Sequence, residues 1–251
     1  MSLKKYFPFL VLTAVMAFSF PPKEKIKVWL IGDSTMSKKE TKAFPETGWG
    51  MPFIYFFDST VEIDNRAMNG RSTKSFMAEN RWQPVIDNLQ EGDYVFIQFG
   101  HNDEAKEKAE RYTTPEEYKA NLTRFVTETK SKKATPILVT PVSRRKFKDG
   151  KAIETHEIYS KLVREVAATL NVPFIDLDKK SMELYQGMGE ETSKLLFLQL
   201  KPGEHPNYPE GKVDNTHFNE LGARLIAQIV LSEIKNLKLE LAERIYQPVK
   251  K

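Results

Sequence analysis

Hydrophobic residues along the chain gather in short runs, separated by longer stretches with helical spacing. Residues 26–31, Ile-Lys-Val-Trp-Leu-Ile, are rich in β-branched and aromatic side chains and read as a strand. Four further runs, 61–64, 94–99, 136–140 and 172–176, read the same way. Helical patterns cover 115–132, 153–170 and 219–239. The first opens on Thr114, Pro115, Glu116 and Glu117: a cap, a proline and an acidic first turn. In the second, Ile158, Leu162, Val166 and Leu170 recur at four-residue steps and predict one apolar face; Leu221, Leu225, Ile229 and Val230 do the same in the third. Strands alternating with helices predict an α/β fold, with a mainly parallel five-stranded sheet covered by helices on both faces. The stretch 199–213 is the least regular, with Pro202, Gly203, Pro206, Pro209 and Gly211. A loop of that length in a compact domain is usually functional or mobile.

The first twenty residues stand outside this pattern. Lys4 and Lys5 precede an apolar run over 6–20, too short to span a bilayer comfortably. Ala17, Phe18 and Ser19 offer small residues where a signal peptidase reads. Residues 1–19 are therefore expected to be a secretory signal and 20–251 a single domain, secreted or periplasmic. An uncleaved membrane anchor is the alternative; after cleavage no stable membrane association is expected. The chain has no cysteine, which excludes disulfides, thiolate metal sites and a cysteine nucleophile. An exported chain of this kind must be held by its core, and 40% hydrophobic residues in 251 suffice for that. The net charge of +4 falls to +2 without Lys4 and Lys5, so it selects no partner, and no nucleic acid is expected.

Polar residues gather where the strands end. The first strand runs into Gly32-Asp33-Ser34, the second into residues 65–72 around Gly70, and the third into Gly100-His101-Asn102-Asp103. A fourth cluster, Asp214 to Phe218, precedes the last helix. Ser34 alone could simply cap a helix. Four such clusters on the rim where open α/β sheets bind ligands are harder to reduce to caps. No Gly-x-Ser-x-Gly occurs, which removes the α/β-hydrolase nucleophile elbow.

In this order the clusters resemble the sequence blocks of the SGNH (GDS-type) hydrolase family: Gly32-Asp33-Ser34, Gly70, Gly100-His101-Asn102-Asp103, and the Asp-x-x-His of Asp214 and His217. The resemblance implies a three-layer, flavodoxin-like fold and a Ser-His-Asp mechanism without cofactor or metal. Ser34 would be the nucleophile, His217 its base and Asp214 the group that orients the imidazole. Ser34 and Gly70 N–H groups and the Asn102 amide would form the oxyanion hole. Asp33 is read as holding its turn, Asp103 as a cap or a brace for Asn102, and His101 as either lining the site or supporting the oxyanion loop. His156, in a charged helical stretch, is read as solvated.

Gly-Asp-Ser-Thr, Asn-Gly-Arg-Ser, Gly-His-Asn-Asp and Asp-x-Thr-His-Phe further resemble rhamnogalacturonan acetylesterases, carbohydrate esterase family twelve. That implies an acetylated acidic polysaccharide or oligosaccharide as substrate. Arg71 beside Gly70, and Arg144 and Arg145 after the fourth strand, are candidates to grip a galacturonate carboxylate. His101 and His205 are further candidate contacts; Tyr208 could stack on a sugar, while Trp49 reads as core. Acetylxylan or a general acetyl ester is the alternative substrate. A non-catalytic carbohydrate-binding protein is the alternative function, although Ser34, Asn102, Asp214 and His217 are all present.

Overall fold

A computed structural model of the chain describes residues 25–246. The expected signal, 1–19, lies outside the described residues. The chain runs through β1 (Ile26–Gly32), α1 (Gly50–Phe53), β2 (Val61–Asn65), α2 (Thr73–Ala78), α3 (Gln83–Asn88), β3 (Tyr94–Gln98) and α4 (Pro115–Ser131). It continues through β4 (Thr135–Val139), β5 (Phe147–Lys148), β6 (Lys151–Ala152), α5 (Glu157–Leu170), β7 (Phe174–Ile175) and α6 (Leu177–Met188). The last elements are β8 (Phe197–Leu200), β9 (Lys212–Phe218) and α7 (Glu220–Asn236).

The central sheet has five parallel strands in the order β2-β1-β3-β4-β7. This is the flavodoxin-like order, and it places the topological switch point between β1 and β3. Side-chain alternation divides the core in two. Val28, Leu30, Phe96, Ile137 and Val139 face a layer holding Phe53, Leu177, Tyr185, Ile226 and Val230, from α1, α6 and α7. Trp29, Ile31, Val95, Ile97 and Leu138 face Phe76, Val85, Leu122, Phe125 and Val163, from α2 to α5. The three layers follow from strands apolar on both faces. The edge strand β2 is more polar, and its Glu62 and Asp64 pair with Lys27 of β1.

The helices exist as expected, but two of their buried faces are turned. In α5 the buried side chains include Tyr159, Val163 and Val166, while Ile158 is 56% exposed. Tyr159 sets this phase, because its hydroxyl donates to the Thr113 carbonyl at 2.6 Å inside the core. In α7, Ala223, Ile226, Ala227 and Val230 are buried and Leu221 is 50% exposed. Here the cap decides: Asn219 accepts the Gly222 N–H at 3.1 Å and donates to the Leu195 and Phe197 carbonyls. The irregular stretch 199–213 also begins and ends in regular structure. Gln199 pairs with Val213 and Leu200 with Lys212 in the antiparallel β8–β9 hairpin. Its tip is anchored, since Tyr208 Oη donates to the Ala43 carbonyl and Asn207 to those of Thr41 and Phe44, each at 2.8 Å.

Candidate active site

Ser34 follows β1 at the switch point. Gly32 is required just before it, because a Cβ there would stand 2.5 Å from the Gln98 carbonyl oxygen of β3. No helix follows Ser34; residues 34–36 form a hydrogen-bonded turn, so its side chain caps nothing. The turn is closed by Asp33, whose Oδ1 accepts from Thr35 N–H at 2.9 Å and Thr35 Oγ1 at 2.8 Å. A buried chain of bonds supports it from below. Trp49 Nε1 donates to Gln98 Oε1 and Gln98 Nε2 to Thr35 Oγ1, each at 2.6 Å. Trp49 is thus core, as its sequence context suggests.

The β8–β9 hairpin carries Asp214 and His217 to this turn. His217 Nε2 lies 2.9 Å from Ser34 Oγ, and Nδ1 lies 2.9 Å from Asp214 Oδ2. The other Asp214 oxygen accepts N–H groups from Thr216 at 2.7 Å and His217 at 3.0 Å. Burial pushes the Asp214 carboxyl up, but the bonds from His217 and Thr216 outweigh it and hold the group well below the usual carboxylate range. An ionised carboxylate only accepts, so it fixes the proton on Nδ1 and leaves Nε2 free to take one from Ser34.

Gly70 follows β2 with φ +77°, a conformation that suits glycine. Among the described residues, neither the Ser34 nor the Gly70 N–H is spent on another hydrogen bond. Asn102 donates one amide N–H to the Arg71 carbonyl at 3.0 Å, which leaves the second available. Asp103 ties this loop to the Gly70 loop: its Oδ1 accepts from Thr73 N–H at 2.9 Å and Thr113 Oγ1 at 2.7 Å. Burial raises its carboxyl to about 7, against the pull of those hydrogen bonds.

A pocket of about 370 Å³ opens at Ser34, lined also by His101, Asn102, Lys108, Arg111, Arg144, Thr216 and His217. A larger cavity, about 530 Å³, lies away from the serine, beside α1 and the start of α7. Several candidate contacts are redirected. Arg71 is bound to Glu79 at 3.0 Å and to the Asn69 carbonyl at 2.8 Å. Arg145 is buried and structural: it donates to Ser193 Oγ and Asn215 Oδ1 at 3.0 Å and to the Glu190 carbonyl, bracing the strand that bears Asp214. His205 sits in the hairpin tip, where it accepts the Asn207 N–H at 3.2 Å, and does not line the pocket. Arg144 does line it, with Nη2 held by Glu104 at 3.0 Å.

His156 is not solvated but buried, with Nδ1 2.9 Å from Glu104 Oε2 and its ring edge-on to His101, centroids 4.3 Å apart. The start of α5 folds over the His101 loop, which the local charge pattern does not reveal. Lys108 and Arg111 also line the pocket, and nothing in the charged stretch from Glu104 to Arg111 singles them out along the chain. Among the described residues no cluster of histidine, aspartate and glutamate side chains is gathered as a metal would need.

Residues 30–225 match the GDSL-like lipase/acylhydrolase family. The chain is 41% identical over 224 residues to rhamnogalacturonan acetylesterase RhgT of Bacillus subtilis (strain 168), covering 89% of this chain and 95% of the relative. It is 35% identical over 219 residues to YesY, a probable rhamnogalacturonan acetylesterase of the same organism, at 87% and 96% coverage. Among solved structures, a variant of Axe2, an acetyl-xylooligosaccharide esterase from Geobacillus, superposes with TM-score 0.62 at 19% identity, over 91% of this chain and 98% of that one. Bacillus subtilis protein YxiM superposes with TM-score 0.74 at 23% identity, over 87% of this chain but 58% of its own length. These two likenesses speak for the fold. The chain belongs to the GDSL-like lipase/acylhydrolase family, the SGNH hydrolases, and is a carboxylic ester hydrolase.

Proposed function

We propose that this hydrolase removes acetyl groups from the galacturonate residues of acetylated rhamnogalacturonan through an acetyl-enzyme on Ser34. The observation that carries the mechanism is the continuous Ser34–His217–Asp214 hydrogen-bond chain at the mouth of a polar pocket. Ser34 Oγ attacks the acetyl carbonyl while His217 Nε2 takes its proton. The oxyanion is held by the Ser34 and Gly70 N–H groups and the free Asn102 amide proton. Collapse returns the proton to the departing sugar oxygen. His217 then deprotonates a water that releases acetate and restores Ser34. Asp214 stays ionised throughout and stabilises the imidazolium.

The similarity to two rhamnogalacturonan acetylesterases supports the substrate, and so do the pocket's cations. Arg111, Lys108 and Arg144 stand within the same small cavity as the serine, together with Glu104 and Glu107. Arg144 is paired with Glu104, so Arg111 and Lys108 are the cations a uronate carboxylate would meet. Export by residues 1–19 fits a polymer that cannot enter a cell.

The test is acetate release from acetylated rhamnogalacturonan and acetylated xylan, for wild type and Ser34→Ala. Release mainly from rhamnogalacturonan, lost in the variant by about 10⁶-fold, is expected. Preference for xylan would discard the pectic substrate, and activity surviving in Ser34→Ala would discard the mechanism. Arg111→Ala sharpens the substrate reading. Its Nη1 also reaches the Gly70 carbonyl at 3.4 Å, so some loss is expected on any ester, with a further fall of about tenfold in kcat/KM on the acidic polymer over the carboxyl-reduced one. Sequencing the N-terminus of the exported protein checks cleavage after Ser19.

A further inference from the structure

Lys39 lies five residues beyond the nucleophile, yet its ammonium is removed from water. Its three donors are all used: on the Ser34 carbonyl at 2.6 Å, on Asn69 Oδ1 at 2.7 Å and on Glu46 Oε1 at 2.6 Å. Ser37 Oγ adds a bond to the same Asn69 oxygen at 2.5 Å. Burying an ammonium is costly, and an apolar replacement for such a pair is often no less stable, so stability alone does not explain it. Burial pushes the Lys39 pKa down, with Glu46, Asp33 and Asp214 pulling the other way.

What the ammonium joins is specific. Ser34 and Gly70 supply the two backbone N–H groups of the oxyanion hole, from loops after different strands, and Asn69 immediately precedes Gly70. One buried cation therefore grips the peptide that follows the first donor residue and the side chain that leads into the second. We propose that Lys39 is a positioning residue: by holding the Ser34 carbonyl and Asn69 Oδ1 together it sets the spacing of the Ser34 and Gly70 donors. This rests on the serine mechanism proposed above. Its contribution belongs to the transition state, where the oxyanion forms, and not to substrate binding.

The experiment compares wild type with Lys39→Met/Glu46→Gln, which removes both charges and leaves no unpaired buried carboxylate. Three quantities are read on a small acetate ester: kcat, KM, and inhibition by methylboronic acid, which forms a tetrahedral adduct on Ser34. The expected result is a fall in kcat of about 10²-fold, KM within twofold, and boronate affinity weakened in step with kcat. Asn69→Ala cuts the same tie from its other end and leaves both charges of the buried pair in place, at the loss of one Lys39 acceptor. It is expected to act in the same direction, and to cost little more when added to the Lys39 variant. It also serves if the double variant fails to fold.

Unchanged kcat in a folded variant would overturn the proposal, as would a rise in KM alone or a kcat loss with boronate affinity intact. Ser34→Ala separates the two readings. If it is inactive while the Lys39 and Asn69 variants turn over normally, only the Lys39 proposal fails. If it remains active, the serine mechanism fails first.

Discussion

Two aspartate–histidine pairs each bring their histidine to the same pocket and differ in almost everything but chemistry. Asp214 and His217 are partly exposed, and the far nitrogen of that histidine reaches Ser34 Oγ. Asp33 and His101, joined at 3.1 Å, are nearly sealed from solvent, with 0% and 4% side-chain exposure. The far nitrogen of His101 meets no partner and its ring abuts His156. Burial drives the His101 pKa down to about 4, against the pull of Asp33, so the ring is neutral at working pH and donates through Nδ1 to the ionised carboxylate. Asp33 is lowered to about 2: the charge His101 carries once it is protonated at low pH, and then the bonds from His101 and Thr35, outweigh its own burial. The same pair is a proton shuttle in the mechanism proposed above, where it is wet and adjoins Ser34, and a brace where it is dry.

Exchanging the roles by mutation gives the largest contrast. His217→Asn is expected to reduce kcat by about 10⁶-fold and leave the melting temperature nearly unchanged. His101→Leu should do the reverse, costing about 3 kcal/mol by stripping the buried Asp33 of a charge-assisted bond, with the folded fraction still turning over. Steady-state rates and thermal unfolding of both variants check this; a catalytically dead, fully stable His101→Leu would break the comparison. Next in size is Asp214→Asn, where about 10⁴-fold in kcat is expected, less than for its histidine.

The remaining contrasts are in pH. The folded pKa of His101 lies below the ordinary 6.5, so its stabilising effect is complete above 6.5 and lost as pH falls through 4. The difference in unfolding temperature between wild type and His101→Leu should therefore narrow between pH 7.5 and pH 4; a difference that widens would show that the ring is charged in the fold, and a constant one that its pKa is not shifted. Asp103 has the opposite sign. Raised to about 7, it favours the fold below its ordinary 3.8 and loses that effect as pH climbs through 7. Asp103→Asn should gain on wild type between pH 4 and pH 8 in the same assay, and a variant that loses ground over that range would place the proton elsewhere.

Much of this arrangement is legible along the chain. Runs such as Tyr94 to Gln98, apolar on both faces, can only be central strands of a covered parallel sheet. Glycine and small polar residues at their ends mark the rim where chemistry gathers. Side-chain destinations were harder. Arg71 and Arg145 look like equal candidates for an anion, yet one is spent on Glu79 and the other on the strand behind Asp214. Nothing local tells Lys39 from Lys38 or Lys42, and only the first is buried.

The sequence by itself determined the layered α/β class, the four clusters of polar residues and their order, because periodicity and strand-end composition are local properties that survive any packing. The phase of α5 and α7, the burial of His156, the different surroundings of the two aspartate–histidine pairs and the bonds of Lys39 to Ser34 and Asn69 were decided by tertiary structure alone. Each depends on which distant group fills the space beside it: burial sets the cost of a charge, and neighbours from other elements determine whether that cost is offset.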